Sequence, residues 1–205
     1  MSLYAKYTKR IFDIVFSFFA LIILSPVMLI IAIIVKLDSE GPIIFKQARL
    51  GRYGNVFNMR KFRTMVIDAE SFGSGVYSYK DDARVTRSGR VLRAFSIDEL
   101  PQCISILMGE MSFIGPRPPL TYHPWHFDEY SDEQKAMFRV RPGVSGWAQV
   151  NGRKTVEWNK RIEMSCWYAN NISFALDAKI LFLTIWKVLR NESNTNVGNT
   201  VDANY

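Results

Sequence analysis

Hydrophobic and polar positions divide the chain into segments of different period. Residues 14–35 carry no charged side chain and are rich in Ile, Leu, Val and Phe. That run is long enough to cross the ~30 Å hydrocarbon layer of a bilayer, too long for a signal-peptide core, and without a small-residue cleavage site. Ser25-Pro26 interrupts it. Proline removes one backbone donor and frees the carbonyl of Ile22, so a break is expected there. Lys6, Lys9 and Arg10 precede the run, and Lys36, Lys46, Arg49 and Arg52 follow it. The preference of cations for the cytoplasmic side therefore draws both ends to one face. A helix that enters, bends at Ser25-Pro26 and leaves by the same face satisfies both observations; a proline-kinked spanning anchor is the alternative.

Past Gly41-Pro42 the pattern changes. Residues 43–47 read as a short strand, 49–55 with Gly51 and Gly54 as a hairpin turn, and 56–63 as a second strand. Period-two alternation sets Lys61 and Arg63 on one of its faces and Phe62 on the other. Residues 71–82, rich in Gly and Tyr, read as a loop able to act as a cover. Residues 86–95 read as a short helix whose Arg87, Arg90 and Arg93 share a broad face. Behind Asp98 and Glu99, Leu100, Cys103, Ile104, Leu107, Met108 and Met111 recur at the spacing of one helical face, and Gly109 marks its end. Prolines stiffen 112–119 and leave Arg117 as its one cation.

Residues 128–139 are polar and helix-compatible. Residues 140–153 mix turns with the amides of Gln149 and Asn151, the Trp147 indole and two arginines, a composition able to stack on and hydrogen-bond a base or sugar. Residues 158–168 supply more aromatics. Residues 174–190 show a narrow polar stripe at Asp177, Thr184 and Lys187, with apolar side chains elsewhere. Such a helix is either largely buried or lies in a membrane interface, and an anchored domain favours the interface. The small, polar residues 191–205 read as disordered.

With 205 residues there is room for one core plus an anchor. The expected architecture is a small mixed α/β domain over 41–190, carrying an N-terminal re-entrant membrane helix over 1–40 and interfacial amphipathic helices. A net charge of +7 favours anionic partners without choosing among nucleic acid, acidic lipid and phosphorylated small molecules. The two cysteines, Cys103 and Cys166, form no disulfide framework, which fits a reducing, cytosolic setting. Pro124 between the only histidines, His123 and His126, disfavours a helical zinc pair.

Asp98 and Glu99 are the candidate chemistry. Ser96 and Glu99 alone fit a capping box, where acids are favoured by unpaired amides and the helix dipole. The surrounding residues alter that reading. Lys61, Arg63, Arg84, Arg87, Arg90, Arg93, Arg117, Arg141 and Arg153 accumulate on both sides of the pair. Carboxylates able to hold a hard cation, ringed by guanidinium groups that fork onto phosphate oxygens, are the parts phosphoryl transfer needs.

The combined string resembles the small monotopic phosphoglycosyl transferases, also called bacterial sugar transferases. The matching stretches are Ser25-Pro26, Phe45-Lys46-Gln47-Ala48-Arg49, Lys61-Phe62-Arg63-Thr64-Met65, residues 96–102 (Ser-Ile-Asp-Glu-Leu-Pro-Gln), residues 109–118, and Arg141-Pro142-Gly143 through Gly152-Arg153. The resemblance implies transfer of a sugar-1-phosphate from a UDP-sugar to undecaprenyl (polyprenol) phosphate, with release of UMP and a need for Mg2+. The setting it implies is the cytoplasmic face of the bacterial inner membrane, at the first membrane step of glycoconjugate synthesis. It makes Asp98 the covalent nucleophile and a Mg2+ ligand, and Glu99 its catalytic partner. Lys61, Arg93, Arg117, Arg141 and Arg153 fall on the family's basic positions, as clamps for donor or acceptor phosphates, with Gln149 and Asn151 in the substrate region. Nucleic acid is not an expected partner, and a homo-oligomer is left open. Family members often carry an aspartate where this chain has Ser165, whose hydroxyl carries no charge for an ion pair with Arg153. Tyr79, Trp125, Trp147 and Asn151 are able to contact a hexose, and no single sequence ranks them. The competing reading is a membrane-tethered anion-binding or scaffold protein without catalysis.

Overall fold

The computed structural model describes residues 3–73, 75, 78, 81–152 and 157–190. Arg153, Tyr79 and the tail 191–205 lie outside them. A π-helical turn, Tyr4–Thr8, leads into helix α1, Lys9–Asp38. The segment Tyr4–Asp38 is long and apolar enough to cross a membrane, with a mean hydropathy of 3.1 over its most apolar window, of which only 11% is buried. The core helix of a soluble domain would be mostly covered; this one leaves Phe16, Phe19, Ile22, Ile23, Leu29 and Ile30 exposed.

The expected break in α1 does not occur in its hydrogen-bonded pattern. The helix runs through Pro26, and the carbonyl that proline orphans is taken up locally. Ser25 Oγ donates to Ile22 O at 2.8 Å. A hydroxyl one residue before the proline thus supplies the donor that lipid lacks.

Strands β1, Ile44–Leu50, and β2, Val56–Phe62, form an antiparallel hairpin that pairs Ile44 with Phe62 and Leu50 with Val56. Alternation holds over the first half of β2, where Phe57 and Met59 share one buried cluster; Phe62, of opposite parity, is buried in another with Val35 and Leu92, so the end of the strand is covered on its other face. Helix α2, Arg87–Ala94, is capped by the Thr86 hydroxyl, which accepts from Gly89 N. Helix α3, Gln102–Met108, closes on Gly109, whose φ of +88° is the left-handed conformation glycine adopts without strain.

Strand β3, Ser112–Ile114, then pairs in parallel with β4, Gly143–Ser145. The Gly115-Pro116 and Pro142-Gly143 turns perform a packing task. A Cβ on Gly143 would lie 2.0 Å from Gly115 N, so the two backbones cross where only glycine fits. Residues 128–139 form short 3-10 turns, Phe127–Glu129 and Gln134–Arg139. Helices α4, Trp147–Asn151, α5, Trp158–Asn170, and α6, Phe174–Leu189, complete the domain. Their apolar faces meet β3 around Ile114, Val150, Tyr168 and Ile180.

Helix α6 is amphipathic in reverse. Its polar stripe faces the protein: Asp177 is buried and accepts from Lys9 Nζ (2.6 Å), Tyr4 OH (2.7 Å) and Tyr168 OH (2.6 Å). Thr184 bonds Ser145 Oγ at 2.6 Å. Phe174, Leu181, Phe182, Ile185, Trp186 and Leu189 point outward. An exposed apolar face of that size exceeds what single scattered surface residues account for.

Candidate active site

Between α2 and α3 the chain turns sharply. Ser96 adopts a left-handed conformation at φ +57°, a strained choice for a residue with a Cβ, and its side chain caps nothing in the helix that follows. The capping-box reading is therefore overturned. Asp98 and Glu99 sit in a separate 3-10 turn, Ile97–Glu99, ahead of α3.

That turn packs against β2 and brings Lys61 onto the pair. Lys61 Nζ lies 2.5 Å from Glu99 Oε1 and 3.9 Å from Asp98 Oδ2. Asp98 is only 7% exposed. Burial pushes its carboxyl above the ordinary aspartate range and the Glu99 charge adds to the rise, while Lys61 and Arg93 oppose it. Arg93, on α2, is held by Thr64 Oγ1 (2.8 Å from Nε) and Ser78 Oγ (2.7 Å from Nη1). Its charge faces Asp98, and burial lowers its own proton affinity.

A second layer sets the expected Arg117 beside Arg49, which the sequence did not single out. Arg49 on β1 donates to Pro118 O at 3.0 Å and to Gln47 Oε1, and Gln47 in turn donates to Glu70. Burial first, and the neighbouring Arg117 second, push the Arg49 guanidinium down to about 9. Glu99 also lies within its field. Arg117 itself is exposed on its proline-stiffened loop. Two mutually repelling guanidiniums beside a carboxylate pair form a place where a polyanion relieves the repulsion. The signal for Arg49 was present in the matching stretch 45–49, but the sequence reading set it in the hairpin turn 49–55, whereas β1 extends through Leu50 and carries it.

Other predicted residues lie elsewhere. Arg141 Nε donates to Gly109 O at 2.9 Å, beyond the far end of α3, where its charged neighbours are Arg10, Arg52 and Asp13. Gln149 and Asn151 are on α4. Asn151 Nδ2 donates to its own helix at Trp147 O (2.9 Å), and both amide atoms of Gln149 are buried without a hydrogen-bond partner. Trp147 lies tilted against Trp167, ring centroids 5.1 Å apart, and Lys179 stands 5.4 Å above its ring. Trp125 packs edge-on against Tyr130 at the core (5.4 Å). Ser165 is buried and donates to Arg161 O at 2.7 Å, which occupies the hydroxyl within its own helix.

Arg63 and Arg84, although basic and close in sequence to the site, are structural. Arg63 donates to Pro42 O (2.7 Å), Ser39 O (2.8 Å), Val35 O (3.3 Å) and Glu40 O, closing the C-terminal end of α1. Arg84 pairs with Asp82 at 2.7 Å and donates to Ala69, Phe72 and Gly75 carbonyls, gathering the 69–82 loop.

The chain belongs to the bacterial sugar transferase family, which it matches over residues 4–191. It is 43% identical over 185 residues to the uncharacterized sugar transferase EpsL of Bacillus subtilis, covering 90% of this chain and 88% of that protein. It is 40% identical over 190 residues to the UDP-glucose:undecaprenyl-phosphate glucose-1-phosphate transferase of Klebsiella pneumoniae, covering 90% of this chain and 41% of that one. The same identity over 186 residues relates it to the UDP-N-acetylgalactosamine-undecaprenyl-phosphate N-acetylgalactosaminephosphotransferase of Aeromonas hydrophila, with 89% and 44% covered. The chain thus spans most of the Bacillus protein and less than half the length of the other two.

Proposed function

We propose that this protein transfers a sugar-1-phosphate from a UDP-sugar to undecaprenyl phosphate in polysaccharide synthesis, through a phosphosugar linked to Asp98. The observation that carries the reading is the juxtaposition of Asp98 with Lys61, Glu99 and Arg93 in a chain of this family. An Asp98 oxygen attacks the sugar-linked phosphorus, and the bond from that phosphorus to the UMP oxygen breaks. The electron pair leaves with UMP, and an acyl phosphate remains on Asp98. A phosphate oxygen of the acceptor then attacks the same phosphorus and returns Asp98 as a carboxylate, leaving a pyrophosphate-linked sugar on the lipid.

Lys61 and Arg93 oppose the upward push of burial on the Asp98 carboxyl, and Arg117 with Arg49 offers donors to the diphosphate. Two adjacent carboxylates fit Mg2+, which takes most of its ligands from water and substrate phosphates. Asp98 would hold it, with Glu99 alongside, and it would supply charge neutralisation of the diphosphate.

A re-entrant anchor at the cytoplasmic face completes the reading. Arg10 donates to Ile106 O (2.6 Å) and Leu107 O (3.1 Å), while Ile31 and Val35 share a buried cluster against which Leu100 packs. A straight helix would separate Arg10 from Val35 by ~38 Å, yet both are tied to the short stretch 100–107. A bend at Ser25-Pro26 reconciles the two, with the aromatic, apolar face of α6 lying in the same lipid interface.

The test is UMP release by detergent-extracted protein across a panel of UDP-sugars with Mg2+ and no acceptor. One UDP-sugar should give close to one UMP per protein in a burst, and Asp98→Asn should give none. Turnover retained in that variant, or no release from any donor, would reject the mechanism.

A further inference from the structure

A small cleft, open to solvent, lies at the collar of α1, by the end of α3 remote from the dyad. Lys6, Lys9, Arg10, Arg52 and Arg141 line it, with Asp13 as the one acid. Lys9 is paired with Asp177 at 2.6 Å. Asp13 Oδ1 is occupied by Ser112 Oγ (3.0 Å) and Phe113 N (3.1 Å). Arg10 donates to Ile106 O and Leu107 O, Arg52 Nε to Arg139 O (3.1 Å), and Arg141 to Gly109 O. Neutral carbonyls orient these guanidiniums without cancelling their charge. Among the described residues none of the three makes a salt bridge to a carboxylate. Burial, with Arg10 and Arg52 on either side, lowers the proton affinity of Arg141. Converging, carbonyl-fixed cations that repel one another are a cradle awaiting an anion.

The position of the cleft narrows the choice of anion. Lys9, Arg10 and Asp13 are the last charged residues before the uncharged run that begins at Ile14, so the cleft opens at the level of lipid headgroups. Its distance from the chemistry excludes the reacting phosphate. Asp98 precedes α3 and Gly109 follows it, a separation of at least ~10 Å along a seven-residue helix. The charges that act on Asp98 are Lys61, Glu99 and Arg93, none of which lines the cleft.

We infer that this cleft is a second, non-catalytic anion site that takes a phosphate group, presented as the headgroup of an anionic membrane lipid. The inference rests on the cleft's own geometry and stands apart from the transferase reading.

The test uses full-length protein in maltoside detergent, titrated by calorimetry with dioctanoyl phosphatidylglycerol, dioctanoyl phosphatidylcholine or inorganic phosphate. Wild type should bind one phosphatidylglycerol and bind phosphatidylcholine at least about tenfold more weakly. The double variant Lys6→Gln/Arg52→Gln should lose about tenfold in affinity for phosphatidylglycerol. Lys160→Gln/Arg87→Gln, with the same charge change away from the cleft, should lose none. Displacement of the lipid by millimolar inorganic phosphate would assign the site to the phosphate group alone. Resistance to displacement would assign it to the intact lipid. Equal binding by wild type and the cleft variant, equal loss in the control variant, or no preference over phosphatidylcholine would overturn the inference. UMP release should be unchanged in Lys6→Gln/Arg52→Gln, so failure of the lipid site and failure of the proposed reaction are read separately.

Discussion

Two basic regions of this protein look alike in sequence and do opposite work. Arg63 and Arg84 are 4% and 5% exposed; Arg63 spends its guanidinium mainly on backbone carbonyls at the end of α1, and Arg84 divides its own between the carbonyls of Ala69, Phe72 and Gly75 and the Asp82 carboxylate, away from the dyad. Lys61 and Arg93 lie two residues from Arg63 and one helix beyond Arg84, yet their charges face Asp98 and Glu99. The difference lies in the acceptor. Carbonyls fix a cation's position and consume its donors, so removing the cation orphans backbone and costs stability. A buried carboxylate leaves the cation coupled to its protonation, so removing that cation alters chemistry.

The largest expected effect is on the chemical side of this comparison. Asp98→Asn should reduce UMP release by about 10^4-fold with an unchanged circular dichroism spectrum, because the amide cannot act as the nucleophile. Arg63→Met should do the reverse, lowering folding stability by about 3 kcal/mol in denaturant titration while surviving folded molecules keep their turnover. An Arg63→Met protein of wild-type stability would erase the distinction.

Lys61→Met should lower UMP release by about 100-fold, and its pH profile sharpens the comparison. Asp98 must be ionised to attack, and burial holds its pKa above the ordinary carboxylate range. Activity should therefore fall as pH drops through that raised value. Removing Lys61, which lowers the pKa, should move the acid limb upward. A limb that stays in place would separate Lys61 from the ionisation of Asp98. Ser25→Ala, which leaves the Ile22 carbonyl without its hydroxyl donor, should cost about 1 kcal/mol, read as a lowered melting temperature in nanodiscs. Asn151→Ala removes a contact to its own helix and should change stability by less than about 0.5 kcal/mol, with no change in the KM for donor. A large KM effect there would instead place Asn151 on the sugar.

Much of the architecture was legible because local periodicity carries it. The β1–β2 hairpin, the arginine-bearing α2, the stop at Gly109 and the uncharged apolar run all follow from side-chain spacing and the conformational range of glycine. The parallel pairing of β3 with β4 was not legible. Its strands are three residues each and lie about thirty residues apart, too short to show alternation. The continuity of α1 through Pro26 escaped for another reason: a rule about lost donors does not count a hydroxyl one residue away.

For the site, adjacency in the chain sufficed to nominate Asp98 and Glu99, because neighbours in sequence remain neighbours in space. Which cations serve them was a tertiary matter. Lys61, Arg63, Arg84, Arg93 and Arg141 share one formal charge, and nothing local to each indicates whether a carbonyl or a carboxylate will face it. The sequence by itself determined the segments, the apolar anchor, the excess of positive charge and the acidic pair. Tertiary structure alone decided that Lys61 and Arg93 reach that pair, that Arg141 lies at the far end of α3, and that α6 turns its polar stripe inward. Long-range packing settles the dielectric and the partner of each charge, and those two quantities decide what a charged side chain does.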